Sequence, residues 1–143
     1  MNLFRNFDIN ASALTAERLR MDLIANNIAN VNTTRTAEGG PYQRQIPIFA
    51  EVLEQVKDAS GQTVARGAGV RVSGIEKDTK PPRLVYDPTH PDADAQGYVA
   101  YPDINTVTEM VNMITASRAY EANVTAFNSA KDMFRTSLDL AKI

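Results

Sequence analysis

The sequence predicts an α+β protein in which long N- and C-terminal helices pair as an antiparallel, coiled-coil-like unit and the middle of the chain is β-rich. All seven glycines and all seven prolines lie between Gly39 and Pro102, and these are the residues that most often interrupt helices. The 38 residues before this interval and the 41 after it contain neither. Three regions follow: helical 1–34, β-rich 35–104 and helical 105–143.

A repeat of apolar residues predicts the first helix. Phe7, Leu14, Met21 and Ile28 recur every seven residues, a spacing that places side chains on one face of a helix. We therefore expect a helix from about Phe4 to Asn30.

The second helix is expected to begin after Pro102. Thr106 and Glu109 have the spacing of a capping box, in which a hydroxyl and a carboxylate bind free backbone N–H groups. The apolar residues that follow occupy the a and d positions of a coiled-coil seam, with Ser117 and Lys131 as polar interruptions. The apolar seam residues are Met110, Met113, Tyr120, Val124, Phe127, Phe134 and Leu138.

The middle region contains four segments with strand character, separated by glycines and prolines. They are Tyr42 to Val52, Val64 to Ile75, Arg83 to Tyr86 and Gln96 to Tyr101. Short β-branched and aromatic runs between turn residues are typical of antiparallel sheets.

Both predicted helices lack the charges that a water-facing helix normally carries. Asp22 is the one charged residue from Met21 to Thr34, and Arg118 and Glu121 are the two from Met110 to Ala130. Either a closed helical hairpin tolerates Asn and Thr on its solvated side, or neighbouring chains cover these faces. We favour the second interpretation, which makes the eleven apolar positions of the two seams subunit-packing residues. Arg118 and Glu121 then either pair on the helix surface or set the register between subunits.

Composition excludes several function classes. A net charge of -2 and a pI near 5.4 disfavour binding to nucleic acid. The chain has no cysteine, so disulfides, thiolate metal sites and cysteine nucleophiles are excluded, and its one histidine, His90, leaves at most one imidazole for any site. We expect no enzyme activity, no cofactor and no metal, and neither a cleaved signal peptide nor insertion into a membrane.

One acidic segment approaches the pattern of a calcium loop. Asp92, Asp94 and Asp103 have suitable spacing, with Gly97 as a turn residue. An EF-hand also requires an entering helix and a bidentate Glu, and both are missing here. We therefore expect a turn that leads into the strand at Tyr98.

Four segments carry a resemblance to a known family. Asn26 to Thr33 resembles the N-terminal signature of bacterial flagellar rod and hook proteins, and Met110 to Val124 resembles their C-terminal helix signature. Gly39 to Arg44 and Tyr86 to Asn105 are similar to the proximal rod members in particular. The chain's short length agrees with the rod, because distal rod and hook relatives carry larger insertions.

The resemblance implies a structural subunit of the proximal rod, the periplasmic drive shaft that carries torque from motor to hook. Its implied partners are other rod proteins, copies of itself, the flagellar type III export apparatus and a basal-body adaptor. Export would proceed without a cleaved signal peptide. The alternative is a helical scaffold or adaptor that binds one partner helix and does not polymerise.

Overall fold

A computed structural model describes residues 3–57 and 61–140, so parts of both predicted helical regions, residues 1–2 and 141–143, lie outside the description. The elements are α1 (Leu3–Ala29), β1 (Gln45–Lys57), β2 (Thr63–Lys77), β3 (Arg83–Tyr86), β4 (Tyr98–Tyr101) and α2 (Thr106–Leu140). Two long terminal helices and a small β-rich middle confirm the predicted α+β class.

The two helices pair in antiparallel fashion. Phe7, early in α1, contacts Phe127, late in α2, whereas Asn27 near the end of α1 contacts Glu109 near the start of α2. At 1.5 Å per residue, the helices are about 40 and about 53 Å long. Because α2 is the longer helix, its last turns continue beyond Leu3.

The first helix lies between the second helix and the β1–β2 hairpin. Both β1 and β2 contact α1, while among the described elements α2 packs on α1 alone. The buried apolar residues of the two helices are small or aliphatic. They are Ala16, Leu23, Ile24, Ala116 and Ala130.

The β1–β2 hairpin is longer than the sequence predicts. Its antiparallel register runs from Gln45 opposite Lys77 to Lys57 opposite Thr63, so β1 starts later and ends later than the predicted Tyr42 to Val52. The start is later because the amide of Tyr42 bonds instead to the carbonyl of Thr33. The register shifts twice, at Ile48/Phe49 and at Val52/Leu53, and such bulges increase strand twist.

A second, smaller hairpin joins β3 to β4, and Val99 within it is fully buried. The turn before β4 is built by Asp94, whose Oδ1 accepts the backbone N–H groups of Gln96 and Tyr98, each at 2.8 Å. Gly97 completes it at φ 86°, a region that favours glycine. The structure confirms the turn predicted for this acidic segment.

The predicted capping box is wrong. Asn105 caps α2, because its Oδ1 accepts the amides of Val107 at 3.0 Å and Thr108 at 3.1 Å. The carboxylate of Glu109, which a capping box would direct to the backbone of Thr106, is instead buried and accepts a hydrogen bond from Asn27 of α1. No described helix is both apolar enough and long enough to cross a lipid bilayer.

Candidate assembly surface and polar junction

The described part of the chain buries few apolar side chains and exposes many. Its apolar core comprises the five helix residues above and Val99. Fifteen large hydrophobic residues of the same part are exposed, and they concentrate on the β1–β2 hairpin and on α2. An exposed apolar patch of contiguous residues marks an interaction site more often than chance.

The clearest patch lies on the first turns of α2. Val107, Met110, Val111 and Ile114 are 70, 56, 57 and 55% exposed. Their spacing of three, four and seven residues aligns them along one helical face, here called the α2 stripe. Because α2 packs on α1 alone among the described elements, no part of them covers this stripe.

Most predicted subunit-packing residues are half-buried in the single chain. Met110 and Leu138 are exposed, and the others are half-buried. The half-buried ones are Phe7, Leu14, Met21, Ile28, Met113, Tyr120, Val124, Phe127 and Phe134. Among them the structure brings together the rings of Phe7 and Phe127, edge to face at 5.1 Å between centroids.

The heptad pattern missed three members of the α2 stripe, Val107, Val111 and Ile114. Their own spacing is the signal that could have identified them, since Val107, Val111 and Ile114 repeat the helical period on either side of Met110.

Arg118 and Glu121 do not pair with each other. Both belong to the described residues, both are exposed, and no ion pair joins them. The pairing alternative is therefore wrong for the single chain. A role in setting register stays a prediction.

Beneath this surface lies a buried polar junction that the sequence pattern did not reveal. Its centre is the side-chain amide of Asn27, a residue that is 1% exposed. Its Oδ1 accepts the amide of Gln45 at 2.8 Å and the hydroxyl of Tyr42 at 3.0 Å. Its Nδ2 donates to the carbonyl of Gln45 at 2.9 Å and to Glu109 Oε2 at 3.1 Å. All four hydrogen-bonding positions of the amide are occupied.

Glu109 is the charged member of the polar junction, and it is also 1% exposed. Arg44 donates to its Oε1 through Nε at 3.0 Å and Nη2 at 2.8 Å, and Asn112 donates to the same oxygen at 3.3 Å. Arg44 also lies 3.9 Å from Asp78, just beyond β2. The polar junction thus connects both helices with the start of β1 and the residue after β2, at the base of the hairpin.

The polar junction raises the pKa of Tyr42. Burial of the phenol is the main cause, because water stabilises the phenolate less well there, and the negative charge of Glu109 adds to it. The neutral hydroxyl is the form that donates to Asn27.

The loop around His90 shows local bonding rather than a catalytic arrangement. His90 Nδ1 accepts the amide of Asp92 at 3.1 Å, and the ring meets Tyr101 at 6.2 Å between centroids. The hydroxyl and amide of Thr89 donate hydrogen bonds to Asp87 and lower the pKa of its carboxyl. Within residues 3–57 and 61–140, no three His, Asp or Glu side chains come together in a way that could hold a metal ion.

An open groove of about 560 Å³ runs between the loop at 36–45 and the segment at 77–82. Among its charged residues, Lys77 pairs with Glu38 and Arg44 pairs with Glu109 and Asp78, whereas no ion pair joins Lys80 or Asp103 to another described residue.

Comparisons with known proteins agree with this geometry. A family model for flagella basal body rod proteins matches residues 7–35, and one for the C-terminal part of flagellar basal body rod FlgEFG proteins matches residues 95–140. These ranges cover most of α1 and α2.

Relatives that align over nearly the whole chain agree with the family models, and each carries the name flagellar basal-body rod protein FlgC. The Borreliella burgdorferi protein is 50% identical over 149 positions, which cover 96% of this chain and 97% of the relative. The Bacillus subtilis protein is 41% identical, with 99% and 100% covered. The Escherichia coli O157:H7 protein is 40% identical, again with 99% and 100% covered.

Proposed function

The chain belongs to the flagellar basal-body rod protein family, and on this premise we propose that it is a structural subunit of the proximal rod. There it forms part of the periplasmic drive shaft that transmits torque from motor to hook. The observation that carries the proposal is the uncovered α2 stripe, which lies in a region matched by a rod family model. Contacts between copies or relatives that do not close into a ring generate a helical array.

The proposed inner domain consists of residues 1–34 and 105–143, and the β-rich middle of residues 35–104. The subunit-packing residues named above complete their burial when neighbouring subunits cover the helix pair. Half-buried side chains such as Met113 and Phe127 support this, because each already contributes to one contact and still presents surface to a second. Arg118 and Glu121 are exposed and do not pair with each other, so both are accessible to a neighbouring subunit, and we propose that they set the register.

The proposed partners are other rod proteins, copies of this chain, the flagellar type III export apparatus and the basal-body adaptor. Export takes place without a cleaved signal peptide. The lack of cysteine suits passage in an unfolded form, because no disulfide must be broken. We infer a mechanical role without catalysis, since the polar side chains of the polar junction are saturated with one another.

A charge placed in the α2 stripe tests the proposal. Val111→Glu should prevent incorporation into the basal body, because the carboxylate would be buried against apolar neighbours of another subunit. Thr108→Glu is the matched control, since it adds the same charge to the same turn at an exposed position beside the stripe. Both sites are exposed in the single chain, so neither change should unfold it.

The measurement is the amount of each variant in purified basal bodies, together with swimming in soft agar. We expect loss of incorporation and motility for Val111→Glu and wild-type behaviour for Thr108→Glu. Val111→Glu at the wild-type level in basal bodies would show that the stripe is not an assembly surface. A chain found outside basal bodies and bound to one partner would favour the non-polymerising adaptor.

A further inference from the structure

The β1–β2 hairpin is fastened to α1 at two separate places, and we propose that this double attachment makes the hairpin and α1 one rigid body. One fastening, the base anchor, is the contact of Asn27 with Gln45. The other, the middle anchor, is the contact of Ser12 with Gly69 and Val70. One attachment allows a hairpin to pivot, whereas two attachments fix its direction.

The base anchor holds the backbone of the hairpin, not only a side chain. The Asn27 amide bonds both the N–H and the C=O of Gln45, the first residue of β1, as a neighbouring strand would. Glu109 of α2 accepts a hydrogen bond from the same amide. Arg44, the residue directly before β1, in turn binds Glu109. Rotation of the hairpin base would break bonds inside a buried polar site, where an unpaired group is costly.

The middle anchor is a close fit between a small side chain and a glycine. Ser12 Oγ accepts the amide of Val70 at 3.1 Å and donates to the carbonyl of Ile9 at 2.7 Å. At Gly69 a Cβ would overlap with that oxygen, so only glycine lets β2 approach α1 so closely. The φ of Gly69, 133°, also favours glycine.

The two anchors have matching separations along both elements. From Asn27 back to Ser12, α1 advances about 22 Å at 1.5 Å per residue. From Gln45 to Glu51, the partner of Val70, β1 advances about 20 Å at 3.4 Å per residue. The hairpin can therefore lie along α1 with both anchors closed and neither element stretched. Asn27 and Ser12 are the positioning residues of this arrangement.

Distances between spin labels on the purified full chain test the proposal, and they do not depend on rod assembly. Because the sequence has no cysteine, labels attach only to introduced ones. Arg18→Cys on α1 is paired with Gln55→Cys, beyond the middle anchor, or with Glu76→Cys, beside the base anchor. Arg18→Cys with Glu121→Cys on α2 reports on the helix pair. All four sites are exposed.

In the parent chain, each pair should give one narrow distance by pulsed electron paramagnetic resonance. Ser12→Ala should broaden the distance to Gln55 and leave that to Glu76 narrow, because the hairpin then pivots about its base. Asn27→Ala should broaden the distance to Glu76. Thr15→Ala is the control: it removes a hydroxyl of α1 that bonds within the helix, to Ala11, and should change neither distance.

Three results would overturn the proposal. The first is a broad distance to Gln55 in the parent chain. The second is a narrow distance to Gln55 in Ser12→Ala. The third is a loss of the Arg18 to Glu121 distance in Ser12→Ala, since the serine would then support the whole fold instead of positioning the hairpin.

Discussion

Removing the guanidinium of Arg44 should be among the most damaging single changes in the described fold. Arg44→Met keeps an apolar stem of similar reach and removes two hydrogen bonds, at 3.0 and 2.8 Å, to Glu109 Oε1. Asn27 and Asn112 remain as donors to the carboxylate. Neither carries a charge, so the variant leaves a buried anion without a counter-charge.

The size of the loss follows from the burial of the two partners. Breaking a buried ion pair by removing one partner costs about 3–5 kcal/mol. The Glu109 side chain is 2% exposed but that of Arg44 is 26% exposed, so water can approach one side of the pair. We therefore expect about 3 kcal/mol, at the lower end of that range. With a urea m-value of about 2 kcal/mol per M, the unfolding midpoint should fall by about 1.5 M.

Urea unfolding followed by circular dichroism measures this loss, and a second substitution tests its cause. Glu109→Gln should destabilise the parent chain, because it removes the ion pair with Arg44. Added to Arg44→Met, the same change should instead restore stability, because it removes the uncompensated charge. An Arg44→Met midpoint within about 0.5 M of the parent would refute the reasoning, as would a double variant less stable than Arg44→Met.

Two further predictions concern the start of α2 and the response to alkali. Asn105→Ala should lower the free energy of unfolding by about 1 kcal/mol through loss of the cap, whereas Thr106→Ala should lower it by less. A larger loss for Thr106→Ala in urea unfolding would instead support the capping box. Since the pKa of Tyr42 is raised in the folded state, its contribution to stability is complete below its ordinary pKa of 10.0 and is lost as pH rises through the folded value. The stability difference between the parent and Tyr42→Phe should therefore shrink on going from about pH 8 to about pH 11, and a constant difference in urea midpoints would contradict this.

The parts of the fold that depend on local chemistry could be predicted from the sequence. Glycine and proline are unfavourable in helix interiors for reasons local to the residue, so their confinement between Gly39 and Pro102 located both helices. The turn at Asp94 was also predictable, because an aspartate that bonds the amides following it requires no distant partner.

The polar junction could not be predicted, because its members lie far apart in the sequence. Glu109 stands three residues after Thr106, and the local pattern assigns it to a capping box. Its actual partner, Arg44, lies 65 residues away. Asn27 appeared in the sequence as part of a family signature, and only the folded chain shows that its amide holds the first residue of β1.

The orientation of α2 connects the polar junction with the assembly surface. In its first turns the charged Glu109 faces inward and the apolar α2 stripe faces outward, the reverse of a helix that is amphipathic towards water. Arg44 and Asn27 hold Glu109 and so fix this rotation of α2. If α2 rotated to bury the α2 stripe, the carboxylate of Glu109 would leave the polar junction and its hydrogen bonds would break. The same contacts that join the hairpin to the helices therefore keep the stripe exposed, and the neighbouring subunit that we propose would remove its apolar surface from water.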